Sequence, residues 1–342
     1  MAKAVRMLDI AKCVGVSIVS VSKALSNKEG VSEEMRVRIK EVAKEMGYDS
    51  PHPSRISKAK FVNGTGNIGV LIPKRFLERG NSFYWSLYEM VAADLLPNNY
   101  YAILEVLQTE DEEIPALPHM LMDEKIDGLI VLGQLEAQYQ SFLKENVKLP
   151  LMTLDSYDAS GKDCVISDGY YGMYAITDYL IRMGHTDICF VGSVGATSSI
   201  TDRFFGFSRA LSERGIKVTD EMVIEDRNAY GTIKVDLPER LPTAFVCNCD
   251  MTAYEMMDVL LAKGIRVPED VSIVGFDNYA PNIKMKPEIT TYSVDMAGMS
   301  RACIERILRK INVNGYVSSM KVISGSVLIK NSVLPREIQD QN

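Results

Sequence analysis

Residues 8–27 read LDIAKCVGVSIVSVSKALSN, and this stretch predicts two short helices joined by a tight turn. Apolar residues recur at helical spacing over residues 8–14, and Gly15 then supplies the left-handed backbone that a tight turn needs. Ser17 follows as a favourable N-cap for a second helix that ends near Leu25. The pattern therefore indicates a helix, a glycine turn and a second helix.

A third helix is predicted directly downstream. Ser32 is followed by two glutamates, which the helix dipole favours in a first turn, and Gly47 stands where a C-terminal cap belongs. The apolar residues between them form one helical stripe: Met35, Ile39, Val42, Ala43 and Met46. Three short helices with a glycine turn between the first two make a helix-turn-helix unit.

Charge divides the 342-residue chain into a basic head and an acidic body. Residues 1–60 carry 12 Lys and Arg against 7 Asp and Glu, whereas the whole chain has a net charge of −7. A small basic head suits contact with the phosphates of a nucleic acid, whereas the acidic remainder of the chain does not. The composition, with 46% hydrophobic residues but no long apolar run or signal-peptide core, predicts a cytoplasmic protein without a membrane span.

Neither a metal site nor a cofactor is predicted. The six cysteines are scattered without a CxxC pair and the chain has only three histidines, so a zinc site has few ligands to draw on. The sequence GTGNIG at residues 64–69 matches a dinucleotide-binding pattern, but it precedes a strand instead of joining a strand to a helix. No catalytic constellation is recognisable in the body, so we expect no enzyme activity.

The N-terminal residues resemble the DNA-binding head of the lactose-repressor (LacI/GalR) family of bacterial regulators. The matching positions are Asp9, Ala11, Gly15, Val16, Ser17, Val21, Ser22, Asn27 and the closing pair Gly47-Tyr48. The resemblance implies a cytoplasmic bacterial regulator that binds double-stranded operator DNA as a homodimer. Two-fold symmetry in turn implies a near-palindromic operator.

The N-terminal residues of a recognition helix face base edges in the major groove. The residues expected to contact DNA are Ser17, Ile18, Val19, Ser20, Lys23 and, from the family pattern, Asn27. Ile18 and Val19 have no side-chain donors, so we expect them to read thymine methyl groups or DNA shape. The alternative is that both residues belong to the hydrophobic core of the head.

Residues 50–65 are rich in Pro, Ser, Gly and Lys, which is typical of a linker. In the family this segment forms a hinge helix on DNA, and a leucine wedges into the minor groove. Arg55 matches the family pattern, but Ser57 occupies the leucine position and Ile56 lies one residue out of register. The hinge therefore either bends DNA less or uses Ile56 as the wedge, and Arg55 and Ile56 join the predicted DNA contacts.

From residue 66 onward, short apolar runs alternate with amphipathic helical stretches, which predicts parallel sheets covered on both faces. One late run, residues 322–328, is predicted as a single strand. The sequences DRFFGF at 202–207 and VPEDVSIVGFDN at 267–278 resemble the family's sensor domain, which is similar to periplasmic sugar-binding proteins. The fold class is therefore an all-α helix-turn-helix head followed by an α/β body of two lobes with parallel sheets.

The family implies that three crossovers join the two lobes, near 164–168, 289–293 and 319–322. The expected divisions are a helix-turn-helix domain at 1–49, a linker at 50–65 and a body at 66–342, with lobe 1 at about 66–165 plus 292–320 and lobe 2 at about 166–291 plus 321–335.

Ligands of open α/β sheets bind beyond the carboxyl ends of the strands. Aromatic, guanidinium and carboxylate groups that follow the predicted strands suit a neutral polyol, whose hydroxyls both donate and accept. The resemblance implies that Arg203 and Asp277 form the effector-binding pair. The full predicted set is Phe83, Tyr84, Trp85, Asp155, Arg203, Asp250 and Asp277. Asp250 is alternatively a helix cap, and the three aromatics alternatively belong to a lobe core.

These features predict a sequence-specific transcriptional regulator, with repression as the leading mode, whose operator affinity is controlled by a small molecule between the lobes. A sugar is the leading candidate for that molecule. Two alternatives keep the DNA-binding role but replace the sugar with a nucleoside or a partner protein. A solute-binding protein is a more distant alternative, against which the basic head argues.

Overall fold

The computed structural model describes Val5, Tyr48 and residues 7–25, 30–46, 64–77, 82–228, 232–280 and 283–336. The chain divides into two units between Gly64 and Thr65. The first unit contains the three predicted short helices, and the second contains both sheets. In the described part of the chain, no helix is long and apolar enough to cross a membrane.

The N-terminal unit is built from α1 at Met7–Val14, α2 at Ile18–Leu25 and α3 at Glu33–Glu45. Gly15 joins the first two helices with a φ of +77°, the left-handed conformation that the turn requires. All three helices contribute to one small core, formed by Ile10, Ala11, Val21, Ala24, Ile39 and Ala43. Because such short helices are marginal alone, this shared core holds the predicted helix-turn-helix together. The predicted C-cap Gly47 lies outside the described residues.

Lobe 1 of the second unit contains an all-parallel sheet of six strands in the order β11-β5-β4-β3-β1-β2. Its strands are β1 at Asn67–Pro73, β2 at Tyr101–Leu107, β3 at Gly128–Leu132, β4 at Leu151–Leu154, β5 at Cys164–Ser167 and β11 at Met320–Ile323. Its helices are α4 at Phe83–Leu95, α5 at Thr109–Glu113, α6 at His119–Met122, α7 at Ala137–Asn146 and α11 at Met296–Asn312. Side chains of β1 alternate between two cores, which shows that helices cover both faces.

Lobe 2 contains the second six-stranded sheet, in the order β12-β10-β9-β8-β6-β7. Its strands are β6 at Ile188–Val191, β7 at Val223–Ile224, β8 at Ala244–Cys247, β9 at Ser272–Asp277, β10 at Thr290–Ser293 and β12 at Ser326–Leu328. Its helices are α8 at Gly169–Arg182, α9 at Ser198–Ser212 and α10 at Asp250–Ala262. All its strand pairs are parallel except β10 with β12. The predicted fold class is confirmed.

The expected single strand at residues 322–328 is wrong. In the structure, Met320–Ile323 pairs with β5 in lobe 1, whereas Ser326–Leu328 pairs with β10 in lobe 2. The apolar run is continuous in sequence, but the chain crosses between the sheets within it, at residues 324–325. Each of the three crossovers follows the complete strand that leads into it. The chain leaves β5 after Ser167 and β10 after Ser293, at the ends of the expected ranges, and it leaves β11 after Ile323, one residue beyond the third range.

Candidate functional site

Helix α2 exposes two adjacent apolar side chains at its N-terminal end. Ile18 is 46% exposed and Val19 is 64% exposed, whereas Val21 and Ala24 of the same helix are fully buried. Ser17 caps the helix, because its Oγ accepts a hydrogen bond from the Ser20 amide at 3.1 Å. The core of the head is therefore formed without Ile18 and Val19, which stay available to a partner.

Of the remaining predicted DNA contacts, the structure describes Lys23 but not Asn27, Arg55 or Ile56. Lys23 is half-buried, and its Nζ lies beside Gly30. Asn27, Arg55 and Ile56 lie outside the described residues. Arg36, another cation that could meet phosphate, donates instead to the Glu33 carboxylate and to the Val31 carbonyl within the head.

In the second unit, Arg203 of α9 is the centre of a buried polar group. The residue is only 5% exposed, and its guanidinium donates to Asn248 O at 2.7 Å and to Asp277 Oδ1 at 2.9 Å. The same guanidinium lies 4.0 Å from the centroid of the Phe276 ring. Its Nε is buried and has no hydrogen-bond partner among the described residues. This donor is therefore a buried polar group whose hydrogen-bonding capacity the described residues leave unused.

Two carboxylates face Arg203 from the ends of two strands in different lobes. Asp155 follows β4 of lobe 1, and Asp277 is the last residue of β9 in lobe 2. Both have positive φ, +62° and +95°, as does Asn278 at +52°. This conformation costs a non-glycine residue free energy, although Asp and Asn tolerate it better than most, and such residues are enriched at functional sites. Burial raises the pKa of Asp277 and outweighs the lowering effect of Arg203.

Asp155 is bound by an aromatic residue rather than by a cation. It is 7% exposed, and its Oδ2 accepts a hydrogen bond from the Tyr84 hydroxyl at 2.9 Å. Burial raises the pKa of Asp155 to about 6, although the positive charge of Arg203 opposes this shift. Burial and the negative charge of Asp155 likewise raise the pKa of Tyr84 well above its usual value. Burial therefore favours the protonated form of both groups.

The three predicted aromatics separate into two groups. Tyr84 packs on Phe76 with ring centroids 4.5 Å apart, and Phe83 meets Tyr279 of lobe 2 edge-on at 5.9 Å. Trp85 instead packs beside Tyr88, and its Nε1 donates to Glu89 of the same helix. The structure thus brings Phe83 and Tyr84 to the cleft group and places the contacts of Trp85 on another face of α4.

Asp250 is neither a helix cap nor a free cleft carboxylate. It is the first residue of α10, the N-cap position belongs to Cys249, and no side chain caps the helix. Its Oδ1 accepts from the Thr291 hydroxyl at 2.7 Å and its Oδ2 from the Tyr279 amide at 2.9 Å. Asp250 therefore fastens the loop after Asp277 to β10. The cap alternative is wrong, and the predicted effector contact of Asp250 stays a prediction.

A further buried carboxylate, Asp226, supports Arg203 indirectly, and sequence reasoning did not single it out. Asp226 is fully buried and accepts hydrogen bonds from the Ser193 amide, the Asn248 side chain and the Thr252 hydroxyl, at 2.9, 2.6 and 2.7 Å. Because Asn248 is fixed in this way, its carbonyl is held where Arg203 binds it. Asp226 therefore orients the guanidinium through one intermediate residue.

In the part of the chain that the structure describes, hydrogen bonds join the lobes at three places across the cleft. Gln134 Oε1 accepts from the Ser198 amide at 2.7 Å, at the N-terminus of α9. The Tyr157 hydroxyl donates to Asp202 Oδ1 at 2.7 Å, and Ser86 Oγ lies 3.1 Å from the Tyr279 hydroxyl. None of these six residues was predicted, since each bond depends on how two separately folded lobes meet. The one available signal was the position of Gln134, Tyr157 and Tyr279 just beyond strand ends.

Comparison with known proteins identifies both units. A family model described as "Bacterial regulatory proteins, lacI family" matches residues 6–51, and one described as "Periplasmic binding protein-like domain" matches residues 177–333. The chain belongs to the LacI family. It is accordingly a DNA-binding regulator of transcription with a body of the periplasmic-binding-protein type.

Similar repressors cover most of the chain. The HTH-type transcriptional repressor PurR of Aliivibrio fischeri (strain MJ11) is 26% identical over 337 residues, covering 96% of this chain and 98% of its own length. The repressor of the same name from Vibrio cholerae (strain M66-2) is 27% identical over 310 residues, covering 89% and 90%.

Solved structures share the fold at lower identity. The lac repressor dimer bound to operator and the anti-inducer ONPF has a TM-score of 0.68 at 20% identity, covering 97% of this chain and all of that one. The transcriptional regulator CelR in complex with cellobiose has a TM-score of 0.68 at 18% identity, covering 96% of this chain and 99% of that one. At these identities the likeness establishes the architecture alone.

Proposed function

We propose that this LacI-family protein is a repressor whose affinity for a near-palindromic operator is set by a neutral, polyhydroxylated small molecule, with a sugar as the leading candidate. The effector binds between the lobes, at Arg203, Asp277, Asp155, Tyr84 and Phe83. The observation that carries the proposal is the buried Arg203 guanidinium with one unused donor, set between carboxylates that begin from opposite lobes. A hydroxyl both donates and accepts hydrogen bonds, so vicinal hydroxyls suit a site that offers a guanidinium donor beside carboxylate acceptors.

The charges around the cleft argue for a neutral or cationic effector. Arg203 is paired with Asp277, and Arg227 lies 3.2 Å from Asp226. Asp155, by contrast, is hydrogen-bonded by the neutral hydroxyl of Tyr84, and Asp202 is likewise bound by a tyrosine. A phosphate or carboxylate placed here would be repelled by Asp155 and Asp202, which are bound by tyrosine hydroxyls and not by cations, while the charge of Arg203 is already balanced by Asp277.

The nucleoside alternative stays open, because ribose also presents vicinal hydroxyls, and the cleft aromatics could receive a base. A partner protein fits less well, since Arg203 and Asp155 are buried and hydrogen bonds between the lobes bridge the cleft. CelR, a protein of the same fold, was solved in complex with cellobiose, so cellobiose is the first sugar to test.

Thermal unfolding of the full chain with cellobiose, ribose, adenosine and glucose 6-phosphate separates these cases. A neutral sugar at about 100 times its Kd should raise Tm by about 5 °C, because it binds only the folded state. A response to adenosine alone would favour the nucleoside, a response to the phosphate ester would contradict the charge argument, and no response to any compound would favour a protein partner.

Arg203→Lys and Arg266→Lys provide a matched pair of variants for this screen. Arg203 pairs with Asp277 in the cleft, whereas Arg266 pairs with Asp270 on the exposed surface. Lysine keeps the charge but loses the planar fork of donors. The ligand-induced rise in Tm should therefore disappear in Arg203→Lys and persist in Arg266→Lys.

The DNA half of the proposal is tested by selecting bound duplexes from a random library at moderate salt. Two-fold symmetry of a dimer predicts that the recovered consensus is near-palindromic. Recovery of an asymmetric site, or of no consensus, would contradict the proposed mode of binding.

A further inference from the structure

A series of stacked side chains leads from the effector cleft to the crossovers between the lobes. The Arg203 guanidinium lies on the Phe276 ring, as described above. Phe276 in turn stacks on Tyr292 of β10, with ring centroids 5.0 Å apart and an interplanar angle of 27°. Tyr292 is only 2% exposed. The guanidinium that faces the cleft therefore rests on two enclosed rings, and the second ring belongs to the strand that leads into the middle crossover.

The hydroxyl of Tyr292 binds a residue from each of the other two crossovers. It lies 2.9 Å from both carboxylate oxygens of Asp168, to which it donates, and it accepts from the Gly325 amide at 2.9 Å. Asp168 follows β5, and Gly325 lies between β11 and β12. The Asp168 amide also donates to Ile323 O at 3.2 Å. One phenol thus connects all three segments that pass between the lobes.

Backbone packing fixes the position of this ring. A Cβ atom on Gly172 of α8 would lie 2.6 Å from the Tyr292 ring and 2.9 Å from the Phe276 ring. A Cβ atom on Gly325 would lie 2.1 Å from the Ser293 carbonyl oxygen. Both positions therefore require glycine, and the rings fill the space against bare backbone. Because the region is so closely packed, the ring cannot shift slightly to accommodate a rotation of one lobe.

We propose that Tyr292 is a positioning residue that couples the effector cleft to the hinge. Rotation of the lobes about the crossovers moves Asp168 and Gly325 relative to β10, so the hydrogen bonds of the phenol hold one discrete arrangement of the hinge. Because Phe276 carries Arg203, that arrangement also sets where the guanidinium lies. The inference rests on the effector role proposed for Arg203, but the connection between hinge and cleft can be measured without any effector.

The variant Tyr292→Phe keeps both stacked rings and removes only the hydroxyl. Hydrogen exchange of the full chain, without added ligand, reads the result at two places. The Gly325 amide loses its acceptor in this variant and therefore reports the local change at the hinge. The Ser198 amide, which is bonded across the cleft to Gln134, reports contact between the lobes. Both should exchange about fivefold faster in the variant, because a hydrogen bond that holds the lobes together is gone.

Tyr139→Phe is the matched control. Tyr139 is also fully buried, and its hydroxyl donates to Ala116 O at 2.8 Å within lobe 1. Loss of this hydroxyl should lower stability without a selective effect at Gly325 and Ser198. If Tyr292→Phe leaves the Ser198 amide unchanged, or accelerates exchange as evenly as Tyr139→Phe does, the proposed coupling is wrong.

Asp168→Asn keeps the test decisive if Tyr292→Phe does not fold. Asparagine retains an acceptor for the phenol but loses the charge that strengthens the bond. The same two amides should exchange faster in Asp168→Asn, by a smaller factor than in Tyr292→Phe. The acceleration in the double variant should be less than the two single effects combined, because both changes act on the same hydrogen bond. Purely additive effects would overturn the proposal. A failed thermal-shift screen, by contrast, would bear on the effector class alone.

Discussion

The head and the cleft depart from the usual distribution of side chains in opposite directions. The head exposes apolar residues, since Ile18 and Val19 are 46% and 64% exposed, whereas the cleft buries charged ones, since Arg203 and Asp155 are 5% and 7% exposed. In ordinary folded proteins charged groups are almost never so buried unless they are paired. The two inversions have different costs. An exposed valine costs the fold little, but a buried charge is stable only while its partners are in place.

This difference determines how each site can be probed. In the head, the residues that would read DNA are separate from the residues of the core, so a substitution can change recognition and leave folding intact. In the cleft, the residues that would bind the effector are also partners of one another. A substitution there changes binding and stability together, and each experiment needs a control that loses the same kind of group elsewhere.

The largest expected effect is that of Arg203→Ala. The substitution leaves Asp277 and the Asn248 carbonyl buried without their donor, which should lower the free energy of unfolding of the body by about 3–5 kcal/mol. Arg266→Ala breaks a comparable bidentate pair on the surface and should cost much less, because water and salt screen exposed charges. Urea denaturation measures both. Equal costs would show that the cleft charges are not more tightly coupled to the fold than surface charges are.

An intermediate effect is expected from Asp155→Asn, and it should depend on pH. A folded-state pKa of about 6, raised from 3.8, means that the folded protein binds this proton more tightly than the unfolded chain does. The resulting stabilisation is complete below pH 3.8 and is lost as pH rises through 6, for a total of about 3 kcal/mol. The groups facing Asp155 are Tyr84, Arg203 and Asp277.

Asparagine does not titrate, so Asp155→Asn should gain stability relative to the wild type between pH 5 and pH 7.5, while Tyr84 retains an acceptor. Asp270→Asn is the control, because the Arg266 side chain lowers the pKa of Asp270 to about 2 and this carboxyl stays ionised throughout the interval. Chemical denaturation at several pH values gives the comparison. A relative stability of Asp155→Asn that does not change with pH would mean that the cleft carboxyl is solvated like a surface group.

The sequence was sufficient wherever local pattern decides the structure. The glycine turn at Gly15, the cap at Ser17 and the apolar stripe of α3 are local features, and the structure contains them. Arg203 and Asp277 could be placed at one edge of a sheet because the carboxyl ends of parallel strands meet there. The family resemblance then indicated that they act as a pair.

Contacts between the lobes could not be predicted from the sequence. Tyr279, Tyr157 and Gln134 bind residues of the opposite lobe, and nothing in their local sequence encodes the partner. The same reason explains Asp250, which looked like a cap or a ligand but binds a loop and a neighbouring strand. It also explains why residues 322–328 were predicted to form one strand, since an apolar run does not indicate which sheet each of its halves joins.

The smallest effect on stability is expected from replacing both Ile18 and Val19 with alanine. Because both side chains are exposed, the head should keep its free energy of unfolding within about 0.5 kcal/mol. Affinity for nonspecific DNA, and its dependence on salt, should also persist, since phosphate contacts supply that term. The preferred half-site should change, because apolar contacts with thymine methyl groups are gone.

Val21→Ala is the control for that experiment, since Val21 is a fully buried residue of the same helix. It should cost more than about 1 kcal/mol and alter affinity for all sequences alike, through loss of the fold. Selection from a random duplex library, together with thermal unfolding, separates the two outcomes. If the double variant loses as much stability as Val21→Ala, Ile18 and Val19 belong to the core after all. The head would then follow the ordinary rule, and the contrast with the cleft would rest on the buried charges alone.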